Sequence, residues 1–166
     1  DRGRVKAAIA GPESGGNDRA RNLAGSSARG RYQFVRGTFN KLYSRVYGVS
    51  EKSANRVFDS ERVFDVEVQE RLMDRLLADN ASALQRAGFE PSTGNLYLAH
   101  FAGDGTAIKM LRADPATPVS QFFSRKAIEQ NKTYLGTPDN PKSVSEAIAV
   151  IYGKVGGTAA GVRVRP

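Results

Sequence analysis

The feature that most constrains the fold of this chain is a long run of apolar residues at helical spacing between residues 65 and 87. Gly88 follows the run directly and is a natural helix stop. No strand pattern competes with it, so we predict a mainly α fold. The apolar positions of the run are Val66, Leu72, Met73, Leu76, Leu77 and Leu84.

Weaker patterns predict shorter helices elsewhere. The first covers residues 2–10, and we expect Gly11-Pro12 to disturb its last turn because proline cannot donate a backbone hydrogen bond. Residues 14–30 are rich in turn formers and predict a loop. Thr38 is a candidate cap for a helix that ends near residue 47. The remaining predicted helices are one capped by Ser92 or Thr93 and broken by Gly103-Asp104-Gly105, and three over residues 107–112, 124–130 and 143–152.

The composition narrows the possible chemistry. The chain has 166 residues, about the length of one domain, and no cysteine. This excludes a disulfide, a thiolate zinc site and a cysteine nucleophile. No apolar run approaches the roughly 20 residues that a membrane-spanning helix needs, so we predict no membrane span. With one histidine and no calcium-loop motif, we predict no metal site and no cofactor.

The charge predicts an anionic partner, which is nucleic acid, an acidic membrane face or an acidic polymer such as cell wall. Lysine and arginine number 25 against 17 aspartate and glutamate, which gives a formal net charge of +8. Nucleic acid is not favoured as that partner, because no helix-turn-helix, RNP or OB signature occurs and the basic residues are spread along the chain. The arginine-rich residues 19–36 either attract anionic wall polymer and muramyl carboxylates or form a solvated loop surface.

Three segments are candidates for chemistry. Glu13 ends the first predicted helix and faces a glycine-rich loop, where partial burial would raise its pKa as a general acid requires; the alternative is a solvated carboxylate. The second segment, residues 26–34, places an amide between two aromatic residues, a combination that suits sugar binding, or else it only enters the next helix. The third segment, residues 97–105, holds the single histidine, His100. Its role is either in the chemistry of the site or as a hydrogen-bonded residue of the core.

In order and spacing, the three segments resemble the catalytic domain of lytic transglycosylases, in the branch related to the soluble lytic transglycosylases and to goose-type lysozyme. Glu13-Ser14 matches the family's Glu-Ser at a helix end. Ser26 or Ser27, Gly30 and Gln33 match its glycine-then-glutamine motif after a serine-containing loop.

The third motif is a variant of the family's Ala-Tyr-Asn-Ala-Gly. The chain reads Ala99-His100-Phe101-Ala102-Gly103, with His100 in place of Tyr and Phe101 in place of Asn, as in phage and alphaproteobacterial members. The resemblance covers roughly residues 5–112. It implies a lysozyme-like fold with a catalytic Glu at the end of a helix.

The resemblance also implies a reaction on peptidoglycan glycan strands, the cleavage of the β-1,4 bond between N-acetylmuramic acid and N-acetylglucosamine. Glu13 would protonate the leaving oxygen and then act as base on the muramyl 6-hydroxyl, giving 1,6-anhydro ends with the substrate's acetamido group assisting. Ser26 or Ser27 would contact that acetamido group, Gln33 would hold the sugar, and His100 would hydrogen-bond Glu13. The candidate substrate-binding residues are Ser26, Ser27, Gly30, Tyr32, Gln33, His100, Phe101, Gly103 and Tyr134.

Two other functions stay open. A hydrolytic muramidase of the same fold needs a second carboxylate, and Asp18 and Asp104 are the candidates. Asp18 is more simply an ion-pair partner of a nearby arginine, and Asp104 a turn residue. The other alternative is a wall-binding or virion structural module without activity. Tyr134, outside the motifs, either stacks on a sugar or packs on the core.

We expect residues 1–155 to form the catalytic domain and the glycine-rich residues 156–166 to form a tail or linker. A start without methionine and such a tail suggest a module of a larger phage or secretion assembly. The implied substrate places the activity in the periplasm or cell wall, with the protein exported or carried in a virion.

Overall fold

The computed structural model describes residues 2–21 and 27–156, and within them the chain is mainly helical. The mainly α class is therefore confirmed. Two short 3₁₀ helices cover Glu61–Phe64 and Val119–Gln121, and the β structure of the described residues consists of isolated antiparallel bridges. The α-helices are α1 (Arg2–Ser14), α2 (Arg36–Tyr47), α3 (Glu51–Phe58), α4 (Val66–Arg86), α5 (Thr93–Ala102), α6 (Asp104–Arg112), α7 (Arg125–Gln130), α8 (Lys132–Leu135) and α9 (Val144–Lys154).

The chain divides into two compact units, Asp1–Asp79 and Asn80–Pro166, and the division falls within α4. The helix predicted over residues 65–87 is confirmed. The Asp65 carboxylate caps its start by accepting the Val68 backbone N–H at 3.2 Å. Gly88 follows its end with a φ of +87°, a conformation that favours glycine.

The apolar face of α4 differs from the prediction at one position. Val66 is 50% exposed, whereas Val68 is buried. Val66 is the first residue of the helix, so its side chain lies where the helix has only just begun to pack. The other predicted positions face the interior as buried or half-buried side chains, namely Leu72, Met73, Leu76, Leu77 and Leu84.

The first unit has an aromatic core between α2 and α3. The ring of Phe39 lies 5.2 Å from that of Phe58 and 5.6 Å from that of Tyr43. Helix α3 was not predicted from the sequence, because Ala54 and Phe58 are its only buried residues and give no clear apolar period. Its start carries a recognisable signal, since the Ser50 hydroxyl accepts the Ser53 N–H at 3.1 Å.

Two helix boundaries in the first unit were predicted wrongly. Helix α1 continues through Gly11-Pro12 to Ser14. The proline forfeits one backbone bond, but the Gly15 N–H still donates to the Gly11 carbonyl at 2.9 Å, so the last turn forms. Helix α2 begins at Arg36 without a side-chain cap, and Thr38 lies inside its first turn.

In the second unit, α9 packs on α5 through a close contact. A Cβ at Gly94 would lie 2.9 Å from the ring of Tyr152, so only glycine allows this approach. The Tyr152 hydroxyl donates to the Asn95 side chain, whose amide donates to the Glu90 carbonyl at 2.8 Å. A polar pair thus fixes the register of two buried helices.

The starts of α5, α7 and α9 follow the prediction, whereas α6 begins three residues before its predicted start at residue 107 and α8 was not predicted. Ser92 caps α5 and Ser124 caps α7. Ser143 forms a capping box with Glu146 at the start of α9. The predicted break at residues 103–105 is confined to Gly103, because α6 already begins at Asp104.

Two predictions lie outside the described residues. One is the role of Ser26, and the other is the tail beyond residue 156. The prediction that residues 1–155 form one catalytic domain stays a prediction.

Candidate functional site

Glu13 lies in the last turn of α1 and is half-buried. The chain leaves the helix through Gly15 and Gly16, which have φ values of +64° and +80°. Side chains other than glycine rarely adopt this conformation, so the two glycines allow the chain to turn sharply just beyond the carboxylate. The first motif is therefore a carboxylate at a helix end followed by an open glycine turn.

Ser14 ties this helix end to the second motif. Its hydroxyl donates to the Arg31 carbonyl at 2.5 Å and accepts the Gly16 N–H at 3.1 Å. One side chain therefore satisfies the turn after α1 and joins it to a segment 17 residues further along the chain. The structure brings together the motifs that contain Glu13 and Gly30.

The second motif is a tight turn closed by a β-bridge. Arg29 and Phe34 exchange backbone hydrogen bonds of 3.0 and 3.1 Å, and residues 30–33 form the turn between them. Gln33 has a φ of +55°, which is rare outside glycine. Its amide donates to the Gly30 carbonyl at 2.9 Å and to the Ala20 carbonyl at 3.3 Å. The Gln33 NH₂ group thus holds the loop, and its predicted contact with sugar is untested.

Gln69 of α4 supports this turn, a role that was not predicted from the sequence. Gln69 is 1% exposed, and its side-chain oxygen accepts the Arg31 N–H at 2.6 Å. Its NH₂ group donates to the carbonyls of Phe64 at 2.9 Å and Asp18 at 3.1 Å. Gln69 lies three and four residues before Leu72 and Met73, so helical spacing places it on the apolar face of α4, and this is the signal that would have indicated a buried polar contact.

Gly30 is required by Gln69. A Cβ on Gly30 would lie 2.1 Å from the Gln69 side-chain oxygen, and its φ is +83°. The glycine of the second motif therefore allows α4 to approach the turn closely. Gly30 therefore has a structural role in this turn, and its predicted contact with substrate stays a prediction.

Tyr32 is a core residue, so its predicted role in sugar binding is not supported. It is 1% exposed, and its hydroxyl donates to Glu70 at 2.6 Å. Burial, with the hydrogen bond to Glu70, raises the pKa of the Tyr32 hydroxyl. Glu70 also pairs with Lys6 of α1, and Lys6 reaches Asp74 at 3.0 Å. This network joins α1, the turn and α4.

The remaining polar residues of the second segment have local roles. The exposed Ser27 accepts the Arg36 N–H at 3.2 Å, at the start of α2. Asp18 is held by both arms of Arg31, at 2.7 Å to Nε and 3.2 Å to Nη2. This confirms the expected pairing of Asp18 with a nearby arginine.

The second unit holds the third motif. The ring of Phe101 lies 4.9 Å from that of Tyr134 and 6.0 Å from that of Phe123. The ring of His100 lies 6.3 Å from that of Tyr97, whose hydroxyl is 3.4 Å from the Tyr134 hydroxyl. His100, Phe101 and Tyr134 are half-buried, so they form an aromatic cluster that is neither core nor fully exposed.

Tyr134 therefore belongs with the third motif, although it lies more than 30 residues from it in sequence. Gly103 ends α5 with a φ of +82°. Asp104, predicted as a turn residue, is the first residue of α6, and its carboxylate accepts the Gly105 N–H at 2.8 Å. The substrate contacts predicted for His100, Phe101, Gly103 and Tyr134 stay predictions.

The first unit has the chemical elements of a general acid site: one half-buried carboxylate at a fixed helix end beside a glycine turn. Among the described residues, no group of three or more His, Asp and Glu side chains is arranged to hold a metal ion. Within the same residues, no helix has the length and apolar character needed to cross a lipid bilayer. No protein-family profile matches the chain.

Proposed function

We propose that this protein is a lytic transglycosylase with a lysozyme-like fold, acting on the glycan strands of peptidoglycan. It would cleave the β-1,4 bond between N-acetylmuramic acid and N-acetylglucosamine without water. Glu13 is its single acid and base. Because peptidoglycan lies outside the cytoplasm, the proposed site of action is the periplasm or the cell wall.

The observation that carries the proposal is the hydrogen bond from Ser14 to the Arg31 carbonyl. It fixes the helix end that bears Glu13 against the turn of the second motif, two segments on which the resemblance depends. Gln69 also holds this turn, because its side-chain oxygen accepts the Arg31 N–H next to Gly30. A catalytic carboxylate needs such a rigid frame, because small displacements of a reacting group reduce the rate strongly.

The proposed reaction uses Glu13 twice. In its neutral form it donates a proton to the oxygen of the bond that breaks, and the N-acetylglucosamine leaving group departs. The resulting carboxylate then removes the proton of the muramyl 6-hydroxyl while that oxygen bonds to the anomeric carbon. The proton returns to Glu13, and the product is a 1,6-anhydro ring.

The pairing of Asp18 favours this reaction over hydrolysis. A hydrolytic enzyme needs a second carboxylate to activate water or to attack carbon. Both oxygens of Asp18 already accept hydrogen bonds from Arg31, so the geometry commits this carboxylate to an ion pair rather than to a water molecule. The contributions of His100, Phe101 and Gly103 to the reaction are proposals that rest on the resemblance alone.

The test is mass spectrometry of the soluble fragments released from purified peptidoglycan by the protein and by its Glu13→Gln variant. We expect anhydro-muramyl ends from the protein, and roughly a hundred- to ten-thousand-fold fewer from the variant, because the acid is lost. Glu129→Gln, an exposed change of the same kind in α7, is the matched control.

Other products would decide between the alternatives. Reducing muramic acid ends would indicate a muramidase, and Asp18 and Asp104 would be changed next. Absence of fragments from the folded protein would indicate a wall-binding or virion structural module.

A further inference from the structure

Four arginines of the first unit are stacked on two buried phenylalanines. The guanidinium carbons of Arg19 and Arg21 lie 4.9 and 4.7 Å from the ring centre of Phe64. Those of Arg29 and Arg36 lie 4.8 and 4.6 Å from the ring centre of Phe58. Stacking restrains a guanidinium group, so these charges are held in place. We name Arg19, Arg21, Arg29 and Arg36 the arginine surface.

One arginine of each pair is already neutralised. Arg19 pairs with Glu61, and Arg36 pairs with Asp59 at 2.7 Å. The hydrogen bond from Arg36 lowers the pKa of Asp59, and Arg29 adds to this effect. The hydrogen bond from Arg19 likewise lowers the pKa of Glu61, with a smaller contribution from Arg21.

The second arginine of each pair has no such partner. No carboxylate of the described residues forms an ion pair with Arg21 or Arg29. Arg29 donates one hydrogen bond to the Phe58 carbonyl at 2.7 Å, and Arg21 is exposed. Each half of the arginine surface thus retains one positive charge.

The two unneutralised arginines lie on paired backbone segments. Arg21 and Arg29 are opposed in an antiparallel β-bridge, which places their Cβ atoms about 5 Å apart. Their guanidinium groups lie over different rings, Phe64 and Phe58, so the pair offers two separate positive groups to anions. Arg29 also pairs with Phe34 at the base of the turn that Ser14 contacts. The pair is therefore attached directly to the candidate site.

We propose that Arg21 and Arg29 bind carboxylate groups of the peptide stems of peptidoglycan. This inference rests on the proposed function, and it deepens it by making the peptide-bearing glycan, rather than bare glycan, the preferred ligand. Guanidinium groups bind carboxylates through two parallel hydrogen bonds. Within the described residues, only two arginines of this surface lack an ion-pair partner, and the carboxylates of Glu61 and Asp59 lie close by, so the surface suits a ligand with few charges. A protein that binds duplex DNA makes roughly 6 to 10 phosphate contacts.

The test measures binding in the Glu13→Gln background, so that no polymer is cleaved. Cosedimentation with insoluble peptidoglycan is compared before and after enzymatic removal of the peptide stems. We expect Arg21→Gln/Arg29→Gln to bind intact peptidoglycan about five-fold more weakly, as two solvent-accessible charge pairs imply. The loss should vanish on stem-free glycan and should shrink at high salt.

The matched control is Arg56→Gln/Arg86→Gln, which removes the same charge from exposed positions of α3 and α4. It should bind as the background protein does. Because Arg29 also contacts the Phe58 carbonyl, Arg21→Gln alone is measured as well, with circular dichroism to check folding. We expect it to show a smaller loss of the same kind.

Several outcomes would overturn the inference. These are equal binding by the double variant, an equal loss in the control, equal losses with and without stems, or stronger binding to duplex DNA or anionic vesicles than to peptidoglycan. The proposed function is read separately, from the products of the unmodified protein. Stem-dependent binding with no cleavage would refute the enzyme and retain the arginine pair as a wall-binding surface.

Discussion

Gly30 is the residue on which the turn of the candidate site depends most directly. We expect Gly30→Ala to lower the free energy of unfolding by about 2–4 kcal/mol. The added Cβ would collide with the Gln69 oxygen, in a backbone conformation that alanine rarely adopts. Urea denaturation measures the effect.

Gly37 offers the control for this change. It lies in α2, and a Cβ there would meet nothing within 4 Å. Gly37→Ala should leave stability unchanged or raise it by up to about 1 kcal/mol, because alanine is the better helix former. Equal losses in the two variants would contradict the role given to Gln69.

Gln69 is the second residue whose loss should be costly. We expect Gln69→Ala to destabilise the protein by about 3 kcal/mol, because it leaves the Arg31 N–H and the carbonyls of Phe64 and Asp18 without their side-chain partner. Gln85→Ala, at an exposed position of the same helix, should change stability by less than about 0.5 kcal/mol. Thermal or urea unfolding of the two variants makes the comparison.

At the scale of the element, the start of α9 is set by its capping box. The Ser143 hydroxyl accepts the Glu146 N–H at 3.2 Å, and the Glu146 carboxylate accepts the Ser143 N–H at 3.1 Å. We expect Ser143→Ala to cost about 1 kcal/mol of stability, measured by urea denaturation. Ser145→Ala, two residues further along, tests whether any serine in this turn matters and should have little effect.

Helix α1 shows how an element ends when its sequence opposes it. Gly11 and Pro12 are poor helix residues, yet the helix reaches Ser14 because a tertiary hydrogen bond to Arg31 holds the last turn. We expect Ser14→Ala to slow the proposed glycan cleavage, with a larger effect on the free energy of activation than on the free energy of unfolding. Ser120→Ala, at an exposed position, should change neither quantity. Fragment release from peptidoglycan and urea denaturation, measured together, separate the two effects.

For the whole molecule, the shifted pKa values predict a plateau of stability. The pKa values of Asp59, Glu61 and Glu146 are lowered, mainly by hydrogen bonds from Arg36, Arg19 and the Ser143 backbone. Their contributions are present above the usual carboxyl pKa of about 4 and are lost as pH falls through the lower folded values. The melting temperature should therefore decrease once the pH is lowered below about 4.

The alkaline limit has the opposite sign. Burial raises the pKa values of Tyr32, Tyr47 and Tyr152. Their contribution is complete below the unfolded tyrosine value of about 10 and is lost as pH rises above it. Melting temperatures measured from pH 3 to 11 should show both limits, and a steady decline between pH 5 and 9 would contradict this account.

The sequence by itself determined the helical class, the longest helix and several helix starts. These depend on local features, namely apolar residues at helical spacing and serine caps such as Ser92, Ser124 and Ser143, which act within one turn. It also predicted that Asp18 pairs with a nearby arginine, because opposite charges lie close in the chain. The three motifs were likewise identified from residue types and their spacing.

The tertiary structure decided what the motif residues do. Only the approach of α4 makes Gly30 necessary and gives Gln69 its partners, since these contacts join residues nearly 40 positions apart. Tyr32, which was predicted to contact sugar, is buried in the core. Long-range packing and desolvation have no local sequence period, so the chain order alone did not reveal which polar groups hold the site and which remain for a ligand.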